Sequence, residues 1–185
     1  METESRRVRM TKKLIRTALI ELMQEKSFSA ITIKELCIRA DINRTTFYKH
    51  YTDQKDVLSE IEAELVDRTM DYMKDVSRDA ATIDFIEAFL KYVRTNSDLF
   101  KVLFCSGGEH EKMMLSYMQN VLKQLRPNLP EYGSQKQEKY VLSFLMYGSF
   151  HVLLTWIEQD FDLPEKEVAE LIYTMCDSIS TGIAE

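Results

Sequence analysis

The sequence predicts an all-α fold of about nine helices: an N-terminal three-helix helix-turn-helix domain and a helical C-terminal domain. Three observations carry this prediction. Apolar residues recur at three- and four-residue spacing through most of the 185 residues. Only 5 Gly and 3 Pro punctuate a chain that is 45% hydrophobic. The stretch Thr32 to Leu58 (TIKELCIRADINRTTFYKHYTDQKDVL) reads as two short helices across a tight turn, followed by the start of a third.

Taken in order, residues 1–9 are polar, with Arg6, Arg7 and Arg9 clustered. They read as a frayed arm able to reach phosphate or a minor groove. From Met10 to Glu25, Leu14, Ala18 and Leu22 recur every four, with Ile15, Leu19 and Met23 beside them. That pattern is an amphipathic helix whose inner face should pack on Phe28, Ile33, Leu36, Phe47 and Tyr51. Lys12, Lys13 and Arg16 fall on its outer side, within reach of phosphate. Thr32 and Glu35 have capping-box spacing and open a short helix carrying Leu36, Cys37 and Ala40. Asp41 stands where the chain must turn and tolerates left-handed backbone. Asn43 is an N-cap for a second short helix, Arg44 to His50. Thr52 is placed to cap the next, with Asp53 and Asp56 in its first turn, where carboxylates suit the helix dipole.

Asp53 to Val76 reads as one long helix with Val57, Leu58, Ile61, Leu65 and Met70 among its apolar positions. Ser77-Arg78-Asp79 breaks it and opens a second region. Helices are expected over Thr82–Arg94, Asn96–Phe104 and Glu109–Leu125, with Gly107-Gly108 and a loop from Pro127 to Gly133 between them. Tyr140 to Ile157 contains no Asp, Glu, Lys or Arg. It is just long enough for a membrane span, but Ser143, Gly148, Ser149, His151 and Thr155 argue against one. A helix so apolar is expected to be buried, in a core or against another subunit. Pro164 suits the start of a last helix with Val168, Leu171, Ile172, Met175 and Ile179 along one face. The domains are therefore expected at 1–52 (arm 1–9), with a linking helix at 53–76 and a helical domain at 77–185.

Charge divides the chain the same way. Residues 1–56 hold 12 Lys/Arg and 8 Asp/Glu, leaving +4; the remainder holds 12 and 22, leaving −10, which together give the net −6. A basic end on an acidic protein is the footprint of a nucleic-acid reader whose other end faces away from phosphate. Cys37, Cys105 and Cys176 are far apart and odd in number, so neither a disulfide framework nor a zinc site is expected, and no cofactor is. Each is expected to be a small core residue; the alternative is a thiol sensor, for which Cys105, beside Gly107-Gly108, is the best placed. No secretory signal precedes the basic first turns, so a cytoplasmic protein is expected. An enzyme is disfavoured: His50, His110 and His151 lie on separate elements, and no Gly-rich phosphate loop or G-x-S-x-G occurs.

The helix at Arg44–His50 offers donors almost everywhere except Phe47 and Tyr51. A helix with so little apolar surface does not stabilise itself; it makes sense as a surface held up by its neighbours for a partner. Polar, cationic side chains after a tight turn suit the DNA major groove. Thr45, Tyr48 and Lys49, then Arg44, are placed for base edges, while Thr32, Lys34, Thr46, His50 and Lys55 are placed for phosphates, with Asn43 at the helix start. Lys55 sits in a first turn whose backbone N–H groups can assist it. A helical adaptor using the same motif on protein is the rival from another class, and the +4/−10 split argues against it.

At this point the residues resemble a known family. Ala18, Leu22, Phe28, the TIKEL run, Ala40-Asp41-Ile42-Asn43, Thr46-Phe47-Tyr48-Lys49-His50-Tyr51 and Lys55 are similar to the DNA-binding domain of the TetR (tetracycline repressor) family of transcriptional regulators. The family usually carries Gly where this chain has Asp41, and Asp takes the same turn at some strain. The resemblance implies a double-stranded DNA operator and a homodimer joined by two helices from each subunit, for which Gly148, Ser149, Val152, Leu171, Met175 and Ile179 are candidates. It further implies a repressor with a small-molecule effector held among Phe85, Phe89, Tyr92, Phe100, Phe104, Met114, Tyr117, Met118, Tyr147, His151 and Trp156. A regulator that works without ligand, or as a co-activator, is the alternative within the family. The FKVLFCSGG stretch resembles the branch that includes regulators of dihydroxyacetone kinase genes.

Overall fold

The computed structural model describes residues 5–74, 83–105, 117, 119–121 and 135–184. Among them are eight α-helices: α1 (Arg6–Glu25), α2 (Ile33–Arg39), α3 (Arg44–Tyr48), α4 (Gln54–Met73), α5 (Ile83–Thr95), α6 (Ser97–Phe104), α7 (Gln135–Glu158) and α8 (Glu165–Ala184). Phe28–Ala30 forms one 3-10 turn, and 117 and 119–121 belong to a further helical stretch. No strand occurs among the described residues, so the all-α expectation holds. Two compact units form, Met1–Leu65 with Val102–Tyr117, and Val66–Lys101 with Met118–Glu185.

In the first unit α1 starts at Arg6, four residues earlier than expected. Ser5 caps it by accepting the Val8 N–H at 3.4 Å, so Arg6, Arg7 and Arg9 stand on a helix and not on a frayed arm. Ile15, Ala18, Leu19, Leu22 and Met23 are buried, but Leu14, expected inside, is 44% exposed. The buried stripe follows Ile15, Leu19 and Leu22, and Leu14 falls about 100° round the helix from Ile15. Phe28, Ile31, Leu36, Phe47 and Tyr51 complete the core, while Ile33 reaches only its edge. The rings of Phe104 and Tyr117 also pack together in this unit, 5.3 Å apart.

In the second unit α5 packs along α8, burying Phe85, Leu90, Tyr92 and Val93. Tyr72, Tyr92 and Phe100 make a chain of rings with centroids 5.2 and 6.2 Å apart. The turn after α7 is built around Arg94. Asp160 and Phe161 adopt left-handed backbone, φ 55 and 62. The Arg94 guanidinium lies 5.0 Å from the Trp156 ring and donates to the carbonyls of Phe161 and Leu163, and Trp156 Nε1 donates to Leu163 at 2.8 Å. The start of α8 is held there.

α7 starts at Gln135 and buries Val141, Leu145, Phe150, Leu153, Leu154, Trp156 and Ile157. It is long and apolar enough to cross a membrane, yet fewer than half the residues of its most apolar stretch are buried within this chain. Tyr140, Phe144 and Tyr147 are 68%, 65% and 41% exposed on one face, with Gly148 and His151. Leu171 and Met175 of α8 are exposed as well.

Candidate nucleic-acid interface

The site begins with two local devices that were readable in the sequence. Thr32 and Glu35 close a capping box on α2, with the Thr32 N–H donating to Glu35 Oε2 at 3.0 Å and the Glu35 N–H to Thr32 Oγ1 at 3.3 Å. The chain then turns at Asp41, whose φ is 51, and Asn43 caps α3 by accepting the Thr46 N–H at 2.7 Å. α3 is shorter than expected. Lys49, His50 and Tyr51 follow it in tight turns bonded back to Thr46 and Phe47.

Phe47 anchors α3 and is wholly enclosed, with the Tyr51 ring 5.9 Å away. Tyr48 meets Phe47 edge-on at 5.5 Å and is otherwise 57% exposed. Arg44, Thr45 and Lys49 are exposed beside it, so all four residues assigned to base edges lie open. Thr46 and His50 are half-buried, and Lys34 and Lys55 are exposed.

Two capping arrangements lie at residues assigned to phosphates, Thr32 and Lys55. The Thr32 hydroxyl donates to Glu35 at 2.7 Å and accepts from its N–H, so it is occupied as a cap. At α4 the side chain that caps is Asp53, not Thr52: Asp53 Oδ1 accepts the N–H groups of Lys55 and Asp56 at 2.8 and 3.0 Å. Thr52 instead donates its N–H and hydroxyl to Asp56. The first-turn N–H groups of Lys55 and Asp56 are therefore already satisfied, while the Lys55 side chain is exposed.

The cations of the first unit fall into two sets. Lys26 pairs with Glu35 at 2.5 Å, Arg39 with Glu21 and Glu25 at 3.5 and 2.8 Å, and Lys12 and Arg16 with Glu60 at 3.1 and 2.5 Å. The sequence alone puts Lys12 and Arg16 on an open face; helix α4 covers it. By contrast Arg6, Arg7, Arg9, Lys13, Lys34, Arg44, Lys49 and Lys55 have no carboxylate partner among the described residues. Of this set, Arg44 lies on α3 and Lys49 directly follows it. An open groove of about 660 Å³ joins two of its members' elements, with Arg7 and Thr11 of α1 facing Cys37, Ile38, Asp41, Ile42, Asn43 and Thr46. Ser5, an N-cap residue just before the arginines, was the signal that would have placed them on a helix.

Electrostatics follows the pairing. The Lys26 ammonium, then the Thr32 hydroxyl and N–H, bring the Glu35 carboxyl down to about 2. Glu25 raises the Arg39 guanidinium, and Thr52 lowers the Asp56 carboxyl. Burial pushes the thiols of Cys37 and Cys176 up, which disfavours their thiolates. No group of His, Cys, Asp and Glu suited to a metal occurs among the described residues.

The effector candidates are dispersed. Phe85, Tyr92, Phe100 and Trp156 are buried in the second unit; Phe104 and Tyr117 are buried in the first. Phe89 is half-buried against Met73 and Phe85. Tyr147 and His151 are exposed on α7, and Met114 and Met118 lie outside the described residues. Of the interface candidates, Gly148, Leu171 and Met175 are exposed. Ser149, Val152 and Ile179 are half-buried; Ser149 Oγ lies 3.7 Å from Cys176 Sγ and Ile179 packs on Val141 and Leu145.

Residues 15–61 match the family described as bacterial regulatory proteins, tetR family. Residues 81–178, more than half of the chain, match the transcriptional regulator C-terminal region of the same group. The chain belongs to the TetR family. It is a DNA-binding transcriptional regulator, as the helix-turn-helix reading required. A TetR transcriptional regulator from Streptococcus agalactiae has a similar structure, with TM-score 0.70 and 26% identity over 92% of this chain and 96% of that one. An HTH-type transcriptional regulator of Haemophilus influenzae is 24% identical over 85% of this chain and 80% of its own length. The Lactococcus lactis activator DhaS of the dhaKLM operon is 26% identical over 61% of this chain and 59% of its own. A solved structure of a dihydroxyacetone kinase operon activator DhaS shares the fold, with TM-score 0.58 and 18% identity over 94% of this chain and 97% of that one.

Proposed function

We propose that this TetR-family protein acts as a cytoplasmic homodimer that reads a two-fold-related DNA site through α3, represses there, and loses DNA affinity when a small molecule binds its second unit. The observation that carries the DNA part is the division of cations. Lys12, Arg16, Lys26 and Arg39 are neutralised by carboxylates, whereas Arg44 and Lys49 at α3, and Arg6, Arg7, Arg9, Lys13, Lys34 and Lys55, have no carboxylate partner among the described residues. Arg44, Thr45, Tyr48 and Lys49 form the base-reading set. Lys34, Lys55 and the helical Arg6, Arg7 and Arg9 form the phosphate set, with Thr46 and His50 at its edge.

The dimer is supported by α7 and α8. Tyr140, Phe144, Tyr147, Leu171 and Met175 leave large apolar groups in water, which marks a binding face. A Cβ added to Gly148 would meet nothing within 4 Å, so a second backbone has room to approach. This face then belongs to a second copy and not to lipid, and a two-fold dimer matches a two-fold operator. For the effector, Phe89 is the described candidate that is neither fully enclosed nor on the α7 face.

The test is selection of duplexes from a random library by the purified protein, with sedimentation of the free protein. A two-fold-symmetric motif and a dimer mass are expected, and Leu171→Glu with Met175→Glu should give monomers that bind weakly. An asymmetric motif together with a monomer mass contradicts the reading. Likeness to a named operon activator favours a second reading, in which binding activates. A reporter gene behind the selected site distinguishes the two by the sign of its response.

A further inference from the structure

Two of the ion pairs in the first unit meet at one carboxylate. Glu60, on α4, receives Lys12 Nζ at 3.1 Å and Arg16 Nη1 at 2.5 Å, both from α1. Arg16 also reaches Glu64, one turn further along α4, at 3.4 Å. Lys12 Nζ lies 5.7 Å from the centre of the Tyr51 ring, and that ring packs on Phe47, the buried anchor of α3. Partial burial pushes the Glu60 carboxyl up, but Lys12, the Tyr51 hydroxyl and Arg16 outweigh it and hold the group below its ordinary value. One carboxylate thus ties α1 to α4, and through Tyr51 and Phe47 the tie reaches the recognition helix.

We propose that Glu60 is a positioning residue for DNA reading: it clasps Lys12 and Arg16 so that α1, α4 and α3 move as one piece, and these two cations serve the clasp and not the phosphates. The proposal rests on the DNA reading above. The geometry distinguishes the clasp from the other ion pairs of the head. Lys26–Glu35 and Arg39–Glu25 hold α2 to the end of α1, whereas Glu60 lies on the helix that leaves this unit and ends in the other. Through it α4 is tied directly to α1. A clasp made of long-range ion pairs needs both charges in place. A phosphate contact needs only the cation.

That difference is the test. Wild type, Lys12→Ala, Arg16→Ala, Glu60→Gln and the double variant Arg16→Ala/Glu60→Gln are compared on a duplex that wild type has selected from a random library. Affinity is measured across a salt series, well below each variant's melting temperature so that only folded protein is compared. Lys13→Ala, the exposed unpaired neighbour, is the reference for a phosphate contact. The clasp predicts that Arg16→Ala and Glu60→Gln each lower affinity several-fold with an unchanged salt slope. It also predicts a double variant no weaker than the weaker single one. The proposal is overturned if Glu60→Gln binds as wild type, if the double variant multiplies the two losses, or if Lys12→Ala or Arg16→Ala reduces the slope by about 0.9, the signature of one phosphate no longer neutralised. If wild type selects no duplex and binds no DNA at low salt, the DNA reading fails first and takes the clasp with it.

Discussion

The side-chain carbonyl of Asn43 accepts the backbone N–H of Thr46 at 2.7 Å, and so caps the five-residue helix that carries Arg44, Thr45 and Tyr48. Five residues cannot sustain a helix alone, so the cap and the Phe47 anchor together hold α3 in place. Asn43→Ala should lower stability by about 1 kcal/mol and weaken DNA binding. Thermal melting beside a binding isotherm checks both; an unchanged melting temperature would show the cap to be dispensable.

Asp41 occupies left-handed backbone, φ 51, where a Cβ is disfavoured and glycine is not. Asp41→Gly should therefore stabilise the first unit by about 0.5–1 kcal/mol, the relief of strain exceeding the added entropy of the unfolded chain. Denaturant unfolding measures it. A loss of stability would mean that the Asp41 side chain contributes more than its backbone costs.

Glu35 should titrate near 2, well below its ordinary 4.5, because Lys26 and Thr32 bond its charged form. A carboxyl whose folded pKa is depressed contributes stability that is fully present above the unfolded value. That stability is lost as pH falls toward the folded value. The capping box should accordingly survive at pH 5 and fail between about pH 4 and 2. Lys26→Ala should raise the midpoint. Side-chain carbon chemical shifts followed against pH give it directly, and a wild-type midpoint at the ordinary value would contradict the ion pair.

Arg6, Arg7 and Arg9 should contribute to affinity without contributing to sequence preference. Replacing all three with Ala should reduce the salt slope by about 0.9 for each phosphate that the arginines neutralise, with the order of preferred sequences unchanged. A changed order would mean that one of them reads bases.

What was legible in the sequence was local. The capping box of Thr32 and Glu35, the turn at Asp41 and the cap at Asn43 each depend on residues three or fewer apart, and each is present. Phe47 and Tyr51 were likewise recognisable as the inward side of an otherwise polar helix. Except at the caps Ser5 and Asp53, the errors arose where a distant element decides. Glu60 stands 48 and 44 residues from Lys12 and Arg16, so nothing near those cations shows that they are neutralised. Asp53 displaced Thr52 as the cap because it reaches two N–H groups at once. Tyr147 and His151 look like interior residues by composition. Their exposure is decided by which face of α7 meets the rest of the second unit, and periodicity cannot say that for a helix apolar on most sides.

The most direct measurement of the central claim is a salt-series binding assay of the purified protein on its selected duplex and on a scrambled duplex, repeated with Tyr48→Ala and Lys49→Ala. The account predicts a salt-sensitive preference for the selected duplex, and a loss of about 1–3 kcal/mol where a base-reading side chain is removed. Equal binding of both duplexes by all three proteins, or no binding to DNA at low salt, would contradict the assignment of α3 as the reading element.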